Sequence, residues 1–205
     1  MEVVCLKSKF LRNIFDQNTY VIKSGNSAII VDAGAEIEDV KNALAGLKVK
    51  AILMTHLHFD HFWNLENYLH EFDCDVYVCA GAEEKFTNAE LNCSTVMRIQ
   101  KTQNIDKKYI KHYQNGVNIE DFDIEVIFTP GHSSDCVCLK IANNLFCGDT
   151  LFKDGVGRTD LIDSDAAALK ESLKKILELN FETAYSGHYE SFSKERALDV
   201  IAYYL

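Results

Sequence analysis

The six residues His56-Leu57-His58-Phe59-Asp60-His61 carry three imidazoles and a carboxylate, directly after the apolar run Ala51-Ile52-Leu53-Met54. A short, bounded apolar run reads as a buried strand, and Phe62, Leu65, Leu69 and Phe72 follow it at helical spacing. The histidines therefore sit where a strand ends and a helix begins. In extended chain His56 and His58 point the same way, while Asp60 and His61 fall on the turn and can face a second point. Four such side chains are costly to bury at a strand end unless something satisfies their charges and hydrogen bonds. A metal ion does so, and one short segment of this kind can serve two neighbouring ions.

Composition narrows what surrounds this segment. The chain has 205 residues, 47% hydrophobic and 25% charged, with a single proline at 130. It has no low-complexity linker, which predicts one compact domain over 1–205. The net charge of −10 argues against a nucleic-acid partner, because phosphate-backbone binding needs a clustered basic surface. No apolar run reaches membrane-spanning length and the N-terminus lacks signal-peptide character, so the expectation is a cytoplasmic protein with no membrane partner. Seven cysteines, at 5, 74, 79, 93, 136, 138 and 147, form an odd set without scaffold spacing and read as buried thiols. Cys147, two residues before Asp149, reads as a packed thiol as well.

Along the chain, strands are expected at Val3 to Lys7, Thr19 to Lys23 and Ala28 to Asp32, with a turn at Ser24-Gly25-Asn26. Ile37, Val40, Leu44 and Leu47 mark an amphipathic helix that closes near Gly46. The strand Ala51 to Thr55, the helix Phe62 to Phe72 and the strand Val76 to Cys79 follow. Residues 81–115 are weakly patterned; a short helix from Ala82 to Leu91 is predicted there, and the segment can also cover a site. A second apolar set gives strands at Ile124 to Phe128, Val137 to Ile141 and Leu145 to Cys147. It continues with a helix capped by Ser164, a strand from Thr183 to Tyr185, and a closing helix from Leu198 to Leu205. Two strand-rich halves, each with helices, imply two sheets face to face with helices outside, an α+β architecture.

Three further strand ends carry a donor-type residue beside glycine: Thr129-Pro130-Gly131-His132, Phe146-Cys147-Gly148-Asp149-Thr150 and Tyr185-Ser186-Gly187-His188. Each alone is an ordinary turn. Their repetition behind the His-rich segment gives them meaning.

Taken together, His56-x-His58-x-Asp60-His61, His132, Asp149 and His188 resemble the metallo-β-lactamase superfamily of metallohydrolases, and Asp32-Ala33-Gly34 after the third strand fits the same pattern. The resemblance implies an αββα sandwich with a dinuclear site at one edge, holding two divalent ions: zinc, with iron or manganese as alternatives. It implies that His56, His58 and His132 hold one ion, that Asp60, His61 and His188 hold the other, and that Asp149 bridges them. Gly148-Asp149-Thr150-Leu151-Phe152 and Gly155-Val156-Gly157-Arg158-Thr159-Asp160-Leu161 are similar to the glyoxalase II-like branch. Because seventeen residues follow His188, the nearer likeness is to short bacterial proteins without the C-terminal glutathione-binding domain. The chain departs from the pattern at Asn64, Ser134-Asp135 and Tyr189, all beside ligand positions.

The activity this implies is hydrolysis of a small-molecule substrate, an anionic thioester of the hydroxyacylglutathione type. Asp60 would orient the nucleophile as the catalytic residue. Arg158 and Lys153 are candidates for attracting the anion. Tyr189 is a candidate for lining the pocket, against a simpler reading as a packed aromatic. The alternatives are a mononuclear iron persulfide dioxygenase using His56, His132 and Asp149, and a lactonase or phosphodiesterase of the same superfamily. A non-catalytic module would be free to lose ligands, and none is lost. His70 and His112 match no ligand position.

Overall fold

A computed structural model describes residues 1–9 and 16–205 of the chain. The first half is built from β1 (Glu2–Lys7), β2 (Asn18–Ser24), β3 (Ser27–Val31), α1 (Ile37–Leu44), β4 (Lys48–Leu53), α2 (Leu65–Phe72), β5 (Asp75–Val78) and β6 (Ile110–His112). Its six strands lie in sequence order in one sheet. The β1-β2-β3 meander is antiparallel, and β3 to β6 are parallel. The helices α1 and α2 make the first two crossovers that parallel neighbours require, and the segment 79–109, with its 3₁₀ turns, makes the third.

The second half contains β7 (Gly116–Ile119), β8 (Phe122–Phe128), β9 (Val137–Ile141), β10 (Asn144–Gly148), a small hairpin of β11 (Leu151–Phe152) and β12 (Gly155–Val156), α3 (Ala166–Leu177), β13 (Thr183–Ser186), β14 (Phe192–Ser193) and α4 (Lys194–Tyr204). Six of these strands form a second sheet in the order β14-β13-β10-β9-β8-β7.

Strand alternation sorts the apolar side chains into three layers. From β2, β3 and β4, the residues Ile22, Ile29, Val31 and Leu53 face Phe122, Ile124, Leu139 and Phe146 across the gap between the sheets. Their alternates Val21, Ile30 and Ile52 pack with Val40, Leu44, Leu65 and Leu69 beneath α1 and α2. On the opposite side Cys138, Leu145, Cys147 and Ala184 pack against Leu169, Leu173 and Ile201 of α3 and α4. Strands buried on both faces explain why β3 and β4 read as nearly continuous apolar runs. The result is an αββα sandwich of the α+β class. Among the described residues, no helix is long and apolar enough to cross a membrane.

Several expected boundaries move. The helix after the His-rich turn starts at Leu65 rather than Phe62, because 59–64 continue to turn and Asn64 spends its amide on the carbonyls of Gly34 and Ala35, at 3.0 and 2.9 Å. The helix expected from Ala82 to Leu91 is a 3₁₀ turn at Glu83–Phe86 followed by further turns. Asn88 Oδ1 accepts from the amides of Glu90 and Leu91, a local bond that competes with helix. The α3 cap is Asp165, whose Oδ1 accepts from the amides of Ala167 and Ala168; Ser164 bonds to Leu161 instead. Capped by Ser193, α4 begins four residues before the apolar pattern that announces it. All seven cysteines are free; Cys5 is exposed and Cys79 half-buried, so the expectation of buried thiols fails at those two.

Candidate metal centre

The loops after β3, β4, β8, β10 and β13 meet at one edge of the sandwich, and they bring all seven donor residues together. The segment after β4 is anchored from both sheets: the Thr55 amide donates to Asp32 Oδ1 at 2.8 Å, and the Val137 amide donates to the Thr55 carbonyl at 2.8 Å. Gly148 ends β10 at φ 46, and any Cβ there would stand 2.6 Å from Thr55 Oγ1. At Gly187 a Cβ would meet Asp149 Oδ1 at 2.2 Å and His61 Cε1 at 2.6 Å. These two glycines let the second sheet's strand ends close on the His-rich turn.

The donor atoms form three overlapping groups, His56–His58–His132, His56–His61–Asp149 and Asp60–His61–His188, each with its ligand atoms within 4.8 Å of one another. Asp149 lies between them. Its Oδ1 is 3.3 Å from His61 Nε2, and its Oδ2 is 3.6 Å from His132 Nε2 and 3.4 Å from His188 Nε2. Asp60 Oδ2 lies 3.2 Å from His188 Nε2. The outer ring nitrogens are held from behind. His61 Nδ1 lies 2.8 Å from Asp32 Oδ2, and His132 Nδ1 lies 2.9 Å from the Arg158 carbonyl. Each therefore donates outward and turns a bare Nε2 to the centre, the arrangement in which histidine binds metals. His58 faces His132 through Nδ1, with its Nε2 3.4 Å from Cys93 Sγ.

Buried polar atoms without partners test whether this cluster fits an ion. His56 Nε2, His61 Nε2 and Asp149 Oδ1 are each buried without a hydrogen bond. Leaving such a group unsatisfied costs about 1–3 kcal/mol. Three of them, all belonging to the His56–His61–Asp149 group, fit a site shaped for cations. The electrostatics agree. Burial alone would raise the Asp60 carboxyl, but His61 and His188 outweigh it and hold it at about 2. Burial would lower His188, but Asp149 and Asp60 carry it up to about 10. Burial, then His132 and Lys85, push His58 down to about 3.

Five of the donors, His58, Asp60, His132, Asp149 and His188, line an open cleft of about 560 Å³, with walls that include Phe59, Cys93, Met97, Phe152, Arg158 and Tyr189. The segment 81–115 supplies part of the wall through Cys93, Val96 and Met97. Of the other sequence candidates, Arg158 reaches the cleft but makes a bidentate pair with Asp160, at 2.6 and 2.7 Å. Lys153 lies outside the lining and pairs with Glu190 at 2.6 Å. Tyr189 is 68% exposed on the cleft wall, which overturns its reading as a packed aromatic. His70 sits in the last turn of α2, and His112 pairs with Glu83.

Sequence reasoning assigned no role to a buried network behind the centre. Lys85, 5% exposed at its side chain, is ion-paired to Asp135 and Asp163 and hydrogen-bonded to Ser133. Asp135 also accepts the Leu57 amide at 2.8 Å. This ties the His56–His58 strand end to the His132 loop. The Ser134-Asp135 departure from the expected pattern was the available signal.

A family model described as the metallo-β-lactamase superfamily matches residues 12–188. The chain is 34% identical over 177 residues to the probable metallo-hydrolase YqgX of Bacillus subtilis, covering 83% of this chain and 84% of that one. It is 31% identical over 181 residues to a hydroxyacylglutathione hydrolase of Francisella philomiragia, covering 85% of this chain and 63% of the relative. Among solved structures, BLEG-1 B3 metallo-β-lactamase superposes with a TM-score of 0.90 at 27% identity, over 99% of each chain. TTHA1623, solved in a di-iron-bound form, gives 0.78 at 27% identity over 94% of each chain.

Proposed function

The chain belongs to the metallo-β-lactamase superfamily of metallo-hydrolases, and from that premise we propose that it hydrolyses a thioester with two divalent ions in its centre. The observation that carries this reading is the donor set itself: two three-residue groups, His56–His58–His132 and Asp60–His61–His188, with Asp149 between them. We assign one ion to each group and a bridging role to Asp149. The di-iron form of TTHA1623 supports two ions. Zinc is the ion we assign, and the same imidazole and carboxylate donors suit iron and manganese.

When bound, divalent ions would supply Lewis acidity, which polarises a carbonyl oxygen and lowers the pKa of a water to about 7. The protein's own residues then determine geometry. Asp60, held ionised by His61 and His188, would orient the attacking oxygen and carry its proton. His132 and His61 are fixed in tautomer by the Arg158 carbonyl and Asp32. A thiolate, with a pKa near ~8.5, leaves without needing a strong acid. The likeness to a hydroxyacylglutathione hydrolase supports the thioester over a lactone or phosphoester.

The test is release of free thiol from a set of acyl thioesters by purified protein, before and after chelation and metal return. Hydrolysis lost on chelation and restored by zinc supports the reading. A metal-loaded protein inert towards every thioester, but active on a lactone or a persulfide, would sink it.

A further inference from the structure

The rim of the cleft is apolar where it meets solvent. Away from the chain termini, the described residues with large, exposed apolar side chains are Val96, Ile162, Leu177 and Tyr189. Val96 and Tyr189 line this opening, and Ile162 follows Leu161, which lines it too. Met97 and Phe152 continue the surface inward, the Phe152 and Tyr189 rings meeting edge to face with centroids 5.6 Å apart. Tyr189 holds this place against its backbone preference. Its φ is 65, a left-handed conformation that strains a non-glycine residue and that glycine adopts freely. A bulky residue kept in such a conformation at a site points to function.

Charge at the rim points the same way. Arg158 is the basic side chain among the described lining residues outside the histidines, and Asp160 neutralises it. Lys153 is neutralised by Glu190, and Asp16 adds a carboxylate to the wall. Among the described lining residues no positive charge outside the histidines is left unpaired to grip an anionic substrate arm; Lys7 Nζ, beside the lining, donates to the Tyr189 carbonyl at 2.9 Å.

We propose that the substrate group lying on this rim is uncharged and apolar, a medium-length acyl chain or an aryl ring, and that Tyr189 is the residue that selects it. This rests on the hydrolase reading above. Apolar selection of this kind is additive in methylenes, and full burial of each is worth about a fourfold gain.

The experiment measures kcat/KM of the zinc-loaded protein for acetyl, butanoyl, hexanoyl and phenylacetyl thioesters of N-acetylcysteamine, with S-lactoylglutathione alongside. The expected result is a rise of about threefold per methylene from acetyl to hexanoyl, with hexanoyl at least tenfold above S-lactoylglutathione. Tyr189→Gly, which relieves the backbone and so does not endanger folding, should cut the hexanoyl-to-acetyl ratio about tenfold, mainly through KM. Tyr189→Phe should keep that ratio. A flat series, a preference for S-lactoylglutathione, or a ratio unmoved in Tyr189→Gly would overturn the inference while leaving thioester hydrolysis standing. No turnover of any thioester, acetyl included, would overturn the hydrolase reading and this inference with it.

Discussion

Asp32 Oδ2 lies 2.8 Å from His61 Nδ1, with both side chains shut away from solvent. Asp32 adopts φ 60 to reach this position and also accepts from the amide and hydroxyl of Thr55. One carboxylate thus fixes the tautomer of His61 and the end of the strand that carries His56. Asp32→Asn should weaken binding at the ion His61 serves by about 10- to 100-fold. Competition against a chromophoric chelator measures this, and an affinity equal to the parent's would show that Asp32 is a packing residue alone.

The closeness of Gly187 to the donors makes a second prediction. In Gly187→Ala the new Cβ would overlap Asp149 Oδ1 and His61 Cε1. These atoms belong to the donor groups, so the variant should retain its fold but lose at least one equivalent of metal. Elemental analysis beside circular dichroism separates the two effects. A variant with a full metal complement would mean that the loop moves aside freely.

Lys85 and its carboxylates predict an acid-sensitive link. Burial would lower the Lys85 ammonium, but Asp135 and Asp163 outweigh it and raise it. For Asp163, burial, which raises the carboxyl, is outweighed by Lys85 and Ser134, so it ionises below the usual carboxylate range. A group depressed in the folded state contributes stability that is complete above its unfolded value of ~3.9 and is lost as pH falls through its folded value. The Lys85–Asp163 contribution is therefore intact at neutral pH, begins to fade at about pH 4 and is gone only below the depressed folded value. Lys85→Met leaves carboxylates unpaired behind the His132 loop and should cost about 3–5 kcal/mol at pH 7. Its acid-unfolding midpoint should also shift upward. Denaturant titrations from pH 7 down to the acid transition check both; a loss in Lys85→Met that does not shrink as pH falls through the depressed carboxylate range would contradict the electrostatic origin.

The site was more legible in the sequence than its surroundings. His56 to His61 are contiguous, and His132, Asp149 and His188 each sit where glycine ends an apolar run. Strand ends are what a sheet brings together, so local pattern predicted their convergence. The layers were legible for the same reason, since β3, β4, β9 and β10 are buried on both faces. What the sequence hid depends on contacts distant along the chain. Asn88 and Asn92 turn 81–115 with side-chain bonds that propensity does not register, as in the 3.0 Å bond from the Ser94 amide to Asn92 Oδ1. The Lys85 network spans 48 to 78 residues of sequence. Lys153 looked available because its partner Glu190 becomes a neighbour only in the folded chain, whereas Asp160 stands two residues from Arg158 and the local turn of the loop pairs them.

The most direct measurement of the central claim is a titration of metal-free protein with zinc while thioester hydrolysis is followed. The two-ion account predicts that activity climbs to a plateau at two equivalents per chain, and that Asp60→Asn binds or turns over markedly less at that plateau. Activity that saturates at one equivalent, or a protein that takes up one iron, consumes oxygen with a persulfide and leaves thioesters intact, would contradict it.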